Sequence, residues 1–203
     1  MRAEPVIVIV PGLREHVEEH WQTLLEARLR SARRAVVALA PMGRDDLDCT
    51  ARVDAIEAVV AKLAAQTSHA ASAIIVAHSA GCIAVAHWAR RHARTACAAI
   101  RGALLAVPPD FDTPMPAPYP DIAALAAAGW LPVPREPLPF DSIVAASRDD
   151  PLASQTRVSE LARAWGSECV DLGEVGHLNP ASGYGEWLAA EGLIEVLTRP
   201  GEP

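Results

Sequence analysis

Val6–Val10 (VIVIV) and Ala73–Ala77 (AIIVA) carry apolar side chains at every position, not at every second one. A strand with one wet face alternates; a strand covered on both faces does not. Two such runs call for a sheet sandwiched between layers of other structure. Ala35–Leu39, Ile100–Val107, Ser142–Ala146 and the shorter Glu168–Leu172 extend the pattern to about six strands. The segments between them have helical periodicity. Val17, Trp21, Leu24, Leu25 and Leu29 fall near one face over about His16 to Leu29, and Val53, Ile56, Val59, Val60 and Leu63 do the same. Ile83 to Trp88, Val158 to Trp165 and Trp187 to Leu197 mark three more helices, with Trp21, Trp88, Trp165 and Trp187 on their core faces. Strands alternating with helices give right-handed βαβ units. The expected fold is therefore α/β, a three-layer sandwich on a mostly parallel sheet, spanning residues 1–203 as a single domain.

One segment breaks the rhythm. Ten of the 17 prolines lie between 108 and 139. Proline is excluded from helix interiors and central strands, so this is an excursion with one short helix near Asp121–Ala128. Long loops in compact domains serve as lids or binding loops; a plain surface loop fits equally. The rest of the composition narrows the function. Lys and Arg number 18 against 25 Asp and Glu, a formal charge of −7, whereas nucleic-acid binders usually show a basic patch. No apolar run reaches the roughly 18 residues of a membrane span. The five apolar residues after Pro5 are too few for a signal-peptide core. Cys49, Cys82, Cys97 and Cys169 form no C-x-x-C pair, so zinc-ribbon and redox readings lack support. A cytoplasmic protein with reduced thiols is expected.

Chemistry concentrates at Ala77-His78-Ser79-Ala80-Gly81, between a buried strand and a helix. A nucleophile elbow, G-x-S-x-G, needs that context, because small flanking residues let strand and helix approach around a sharply turned serine. Here Ala77 replaces the first glycine. The bland reading is a serine that caps the helix. Two other placements favour the elbow. An acid and a histidine should follow later strands, in the order Ser, Asp or Glu, His. Ser147–Pro151 (SRDDP) follows the fifth strand and Gly176-His177-Leu178 the sixth. Both lie at carboxyl ends of strands, where open α/β sheets build their sites. From the residues alone, Asp149 and Asp150 are both candidates for the acid.

With these pieces in place the chain resembles the small serine hydrolases of the retinoblastoma-binding-protein-9 type, a compact branch of the α/β-hydrolases. The resemblance rests on Val10-Pro11-Gly12, His20-Trp21-Gln22, His78–Gly81, Ser147–Pro151, Gly176–Asn179, Ser182-Gly183 and Trp187. It implies Ser79, Asp150 and His177 as the catalytic residues, with no cofactor, no metal and no large cap domain. The oxyanion donors are expected to be the backbone N–H groups of Ala80, after the nucleophile, and Leu13, in the turn after the first strand. Gly12 lets the backbone approach a substrate; His78 and Trp130 are candidate pocket residues. The expected reaction is hydrolysis of a small ester, thioester or amide through an acyl-enzyme in a shallow pocket. A scaffold that keeps the fold and binds protein partners is the rival reading. His16-Val-Glu-Glu-His20 also fits H-x-x-E-H, a zinc pattern if helical, but with no distant third ligand it is expected to be a polar, partly exposed helix start. Cys82, at a helix N-terminus that lowers thiol pKa, is weighed against plain packing. His69, His87 and His92 are read as ordinary.

Overall fold

The computed structural model describes residues 4–43, 45–66, 73–92 and 99–199; His69 and Cys97 lie outside the described residues. Six strands, β1 (Val6–Val10), β2 (Val36–Ala38), β3 (Ala73–His78), β4 (Ile100–Ala106), β5 (Asp141–Ala146) and β6 (Glu168–Asp171), form one sheet in the order β2-β1-β3-β4-β5-β6. Every neighbouring pair is parallel. Around it lie α1 (Trp21–Ser31), α2 (Cys49–Gln66), α3 (Ala80–His92), α4 (Ile122–Ala127), α5 (Gln155–Trp165) and α6 (Ala189–Thr198).

The period-2 geometry of a strand splits its apolar residues between two cores. Ile7, Ile9, Ile74, Val76, Leu104 and Ile143 pack with Trp21, Leu25 and Leu29 of α1 and Ile194 and Leu197 of α6. Val8, Val10, Ile75, Ala77, Leu105 and Val144 face the other way, onto α2, α3 and α5. The continuous apolar runs are thus covered on both faces. The strand order reverses direction at β1 and β3, and the crevice beyond their carboxyl ends is where such sheets bind ligands.

Four expectations need correction. The first helix begins at Trp21, not His16: His20 is the N-cap, and its Nδ1 accepts from the Gln22 N–H at 3.2 Å. His16 and His20 therefore share no helical face; the segment is polar and partly exposed as expected, His16 exposed and His20 buried, but it precedes the helix. Trp187 lies just ahead of α6, though it is buried as expected. Trp130 does not line the site. It is fully buried, donates its indole N–H to the Leu47 carbonyl at 2.7 Å, and meets Phe111 edge-on at 5.5 Å. The excursion folds back instead of standing off: Leu125, Trp130 and Val133 join the core on the α2–α3 side. Only its first part, from Pro109 to Tyr119, reaches the crevice.

Candidate active site

Ser79 occupies the turn between β3 and α3 with φ at +55°, a conformation that costs a non-glycine residue about 1–3 kcal/mol. Its surroundings enforce the turn. The Ser79 N–H donates to the Ala106 carbonyl at 2.9 Å, and its carbonyl accepts from the Cys82 N–H at 2.8 Å. A Cβ on Gly81 would lie 2.7 Å from both the Val10 and Pro11 carbonyl oxygens. Only glycine lets α3 start so close to the end of β1. A Cβ on Gly12 would come within 2.9 Å of the Ser79 Cβ, so both glycines are steric requirements of the elbow. Ala77, where the motif has glycine, sets its methyl in the core on the α2–α3 side, fully buried.

Three loops converge on the serine. The Ser79 hydroxyl donates to His177 Nε2 at 2.8 Å. His177 Nδ1–H donates to the Asp150 carboxylate, 3.0 Å from Oδ1 and 2.9 Å from Oδ2. Asp150 Oδ1 also accepts from the Leu152 N–H at 2.9 Å. The His177 and Asp150 side chains are 4% and 1% exposed, so this pairing is shielded from solvent screening. Asp149 has separate contacts. Its Oδ1 accepts from the Ser147 hydroxyl at 2.8 Å and the Gly176 N–H at 2.7 Å, tying the loop after β5 to the loop after β6. These hydrogen bonds, the Gly176 N–H first, hold its carboxyl below the usual range. The Ser182 hydroxyl accepts from the His177 N–H at 3.0 Å.

The hydroxyl opens onto a cavity of about 160 Å³. Gly12, Leu13, His78 and Ala80 line it, as do Val17, Phe111, Met115 and Tyr119. The backbone N–H groups of Leu13 and Ala80 have no acceptor among the described residues. His78 donates Nε2–H to the His177 carbonyl at 3.0 Å, and burial drives its pKa well below the ordinary value. His20 stands 4.7 Å from His78, ring to ring, and burial lowers its pKa to about 3. Cys82 is fully buried, with its thiol pushed well up by burial; that is packing, not thiolate chemistry. Arg14, Met115 and Tyr119 were missed at the sequence level. Arg14 follows Leu13 directly, a position that could have drawn notice; nothing in the proline-rich segment singles out the other two.

A parallel sheet in this order, with a strained serine between β3 and α3 and loops from β5 and β6 meeting over it, is the α/β-hydrolase fold. The chain belongs to the family described as serine hydrolase, whose model matches residues 7–196. It is an enzyme of that class. Among solved structures it is similar to a protein from Pectobacterium atrosepticum described as a YdeN-like hydrolase (28% identity, 96% of this chain and 90% of that one, TM-score 0.68). The ydeN gene product of Bacillus subtilis superimposes with a TM-score of 0.71 at 15% identity, over 96% and 99% of the two chains. Est1E from Butyrivibrio proteoclasticus gives 0.65 at 14%, over 96% and 89%. At these last two identities the likeness is one of fold. No curated protein matches the chain. No described helix is long and apolar enough to cross a membrane.

Proposed function

We propose that the protein hydrolyses small carboxylic esters through an acyl-enzyme on Ser79, as a member of the retinoblastoma-binding-protein-9-type branch. The observation that carries this reading is the unbroken chain of hydrogen bonds Ser79–His177–Asp150, at 2.8 and 2.9 Å. A serine hydroxyl is a weak nucleophile until an adjacent base removes its proton. His177 Nε2 takes that proton as the oxygen attacks the ester carbonyl, then gives it to the departing alcohol. Asp150 holds the Nδ1–H tautomer and stabilises the imidazolium without being protonated. The tetrahedral oxygen carries negative charge, and the free N–H groups of Leu13 and Ala80 meet it. Where measured, each such donor is worth about 10²–10³ in turnover. Water then repeats the sequence on the acyl-enzyme. A cavity below the roughly 300 Å³ of drug-sized sites suits a short acyl chain.

The test is labelling by a fluorophosphonate, which reacts with an activated serine. Wild type should label and hydrolyse short acyl esters; Ser79→Ala should do neither, with turnover down by about 10⁴–10⁶. A folded wild type that neither labels nor turns over any short ester would leave the scaffold reading standing.

A further inference from the structure

Arg14 is the one arginine or lysine among the described residues that line the cavity. Several other arginines of this chain pair with carboxylates: Arg157 with Asp110 and Asp112, Arg148 with Asp171, Arg28 with Glu186 and Glu191. Arg14 has no carboxylate within 4.0 Å among the described residues. One terminal nitrogen donates to the Glu15 carbonyl at 3.0 Å and the other to Gln22 Oε1 at 3.3 Å, both neutral acceptors. A guanidinium has five N–H donors, so three are left, including a buried Nε–H with no partner. Burial lowers its pKa to about 10, which leaves it a cation at neutral pH.

The surroundings accentuate that charge. No Asp or Glu lines the cavity, although the chain as a whole carries −7. His20, on the same wall and 1% exposed, commits Nδ1 as an acceptor. Its neutral ring therefore bears the proton on Nε2, which has no acceptor among the described residues. Gln22 is pinned by its amide to the Val10 and Val76 carbonyls at 3.1 Å each, so the group that holds Arg14 is itself fixed to the end of β1 and to β3. A half-buried cation kept in place by a neutral amide, with donors to spare, is a site for an incoming anion.

We propose that the preferred substrate is an ester bearing a carboxylate, and that Arg14 binds this carboxylate while Ser79 attacks the ester. The proposal rests on the ester-hydrolase reading above. The carboxylate could belong to the acyl half or to the alcohol half, and paired substrates separate the two. Monomethyl glutarate against methyl 4-carbamoylbutanoate tests the acyl side; 3-acetoxypropanoate against 3-acetoxypropanamide tests the alcohol side. Each pair differs only in carboxylate versus amide. In wild type the carboxylate member of one pair should have kcat/KM about 10- to 100-fold higher, the range of a charge-assisted hydrogen bond. Arg14→Lys should keep part of that ratio and Arg14→Met should bring it close to one. Free glutarate should also slow fluorophosphonate labelling of wild type more than glutaramide does, a readout that needs no variant. Labelling together with equal or better hydrolysis of both amide members, or equal protection by the two free compounds, overturns the proposal and leaves the serine chemistry intact. Absence of labelling in wild type overturns both.

Discussion

Asp149 and Asp150 are adjacent in sequence but do different work, and exchanging each for asparagine separates them. At 150 the carboxylate lies 2.9 Å from His177 Nδ1 and is 1% exposed. Asparagine is close in shape, but it carries no charge, and it can present an N–H where the imidazole needs an acceptor. The wrong tautomer then faces Ser79. The same exchange in a serine protease triad lowers turnover about 10⁴-fold, equal to about 5.4 kcal/mol of transition-state stabilisation. At 149 the roles played by Oδ1, acceptor for the Ser147 hydroxyl and the Gly176 N–H, survive in an amide oxygen. Asp149→Asn should therefore stay within about one order of magnitude of wild type. The assay is steady-state hydrolysis of a short-chain 4-nitrophenyl ester at pH 7.5, with thermal unfolding run alongside to show that both variants fold. If Asp149→Asn loses as much as Asp150→Asn, or if Asp150→Asn keeps a tenth of the activity, the division of labour drawn from the hydrogen bonds is wrong.

Gly81→Ala should cost about 1–3 kcal/mol in urea unfolding and also lower kcat, because its Cβ would press at 2.7 Å on the Val10 and Pro11 carbonyls beside the oxyanion turn; unchanged values for both would refute the steric account. His20 and His78 are buried neutral, with His20 lowered to about 3 and His78 shifted the same way. The unfolded chain takes up their protons near pH 6.5 and the folded one does not, so stability is present above 6.5 and lost as pH falls below it; at pH 5.5 His20 should cost about 1.4 kcal/mol, with His78 acting in the same direction. Urea midpoints at pH 7.5 and 5.5 check this, above the range where carboxylates titrate, and equal midpoints would contradict it. Trp130→Phe should cost roughly 1–3 kcal/mol in unfolding free energy with kcat/KM unchanged, because the indole serves the core and not the cavity; a change in kcat/KM without loss of stability would place it back at the site.

Local signals made most of the frame legible, and long-range packing hid the rest. VIVIV and AIIVA announce two-sided burial without any knowledge of neighbours, and β1 and β3 follow them closely. The elbow and SRDDP sit directly after a strand and GHL a few residues beyond one, so strand recognition carried them to one edge. The start of α1 is not legible in sequence, because Val17 has the right helical phase and histidine is not among the favoured N-caps; His20 caps by a ring nitrogen. The place of Trp130 is not legible either, because proline-rich sequence says where regular structure stops, not where the chain returns. Its return onto α2 and α3 depends on a carbonyl at Leu47, far away in sequence. The two aspartates could not be told apart for the same reason: Ser147 and Gly176, which claim Asp149, do so only once the two loops are folded against each other.

Three imidazoles run in a row beneath the cavity, His20, His78 and His177, with ring centroids 4.7 and 5.1 Å apart. A positive charge on any one disfavours it on the others, and the mutual effect is visible in the lowered values of His20 and His78. Only His177 has a carboxylate at its far nitrogen. In the proposed mechanism the proton taken from Ser79 therefore has one place to reside, because burial holds the neighbouring rings neutral and only His177 has a carboxylate, Asp150, beside it. His78 contributes further by donating Nε2–H to the His177 carbonyl, which fixes the backbone of the base, not its ring. The same edge of the sheet gathers the strained backbone. Of the four described non-glycine residues with positive φ, Ser79 and Val107 lie just past β3 and β4, Leu178 lies in the loop after β6 beside His177, and Arg33 alone is elsewhere. Strain of this kind persists only where surroundings over-determine it. Here the Ser79 N–H is held by the Ala106 carbonyl, the Val107 N–H by Ala145 and the Leu178 N–H by Val175. Stability taken from the two cores on either side of the sheet is thus spent at one rim, where it holds a hydroxyl, an imidazole and two unpartnered backbone donors in fixed relation before any substrate arrives.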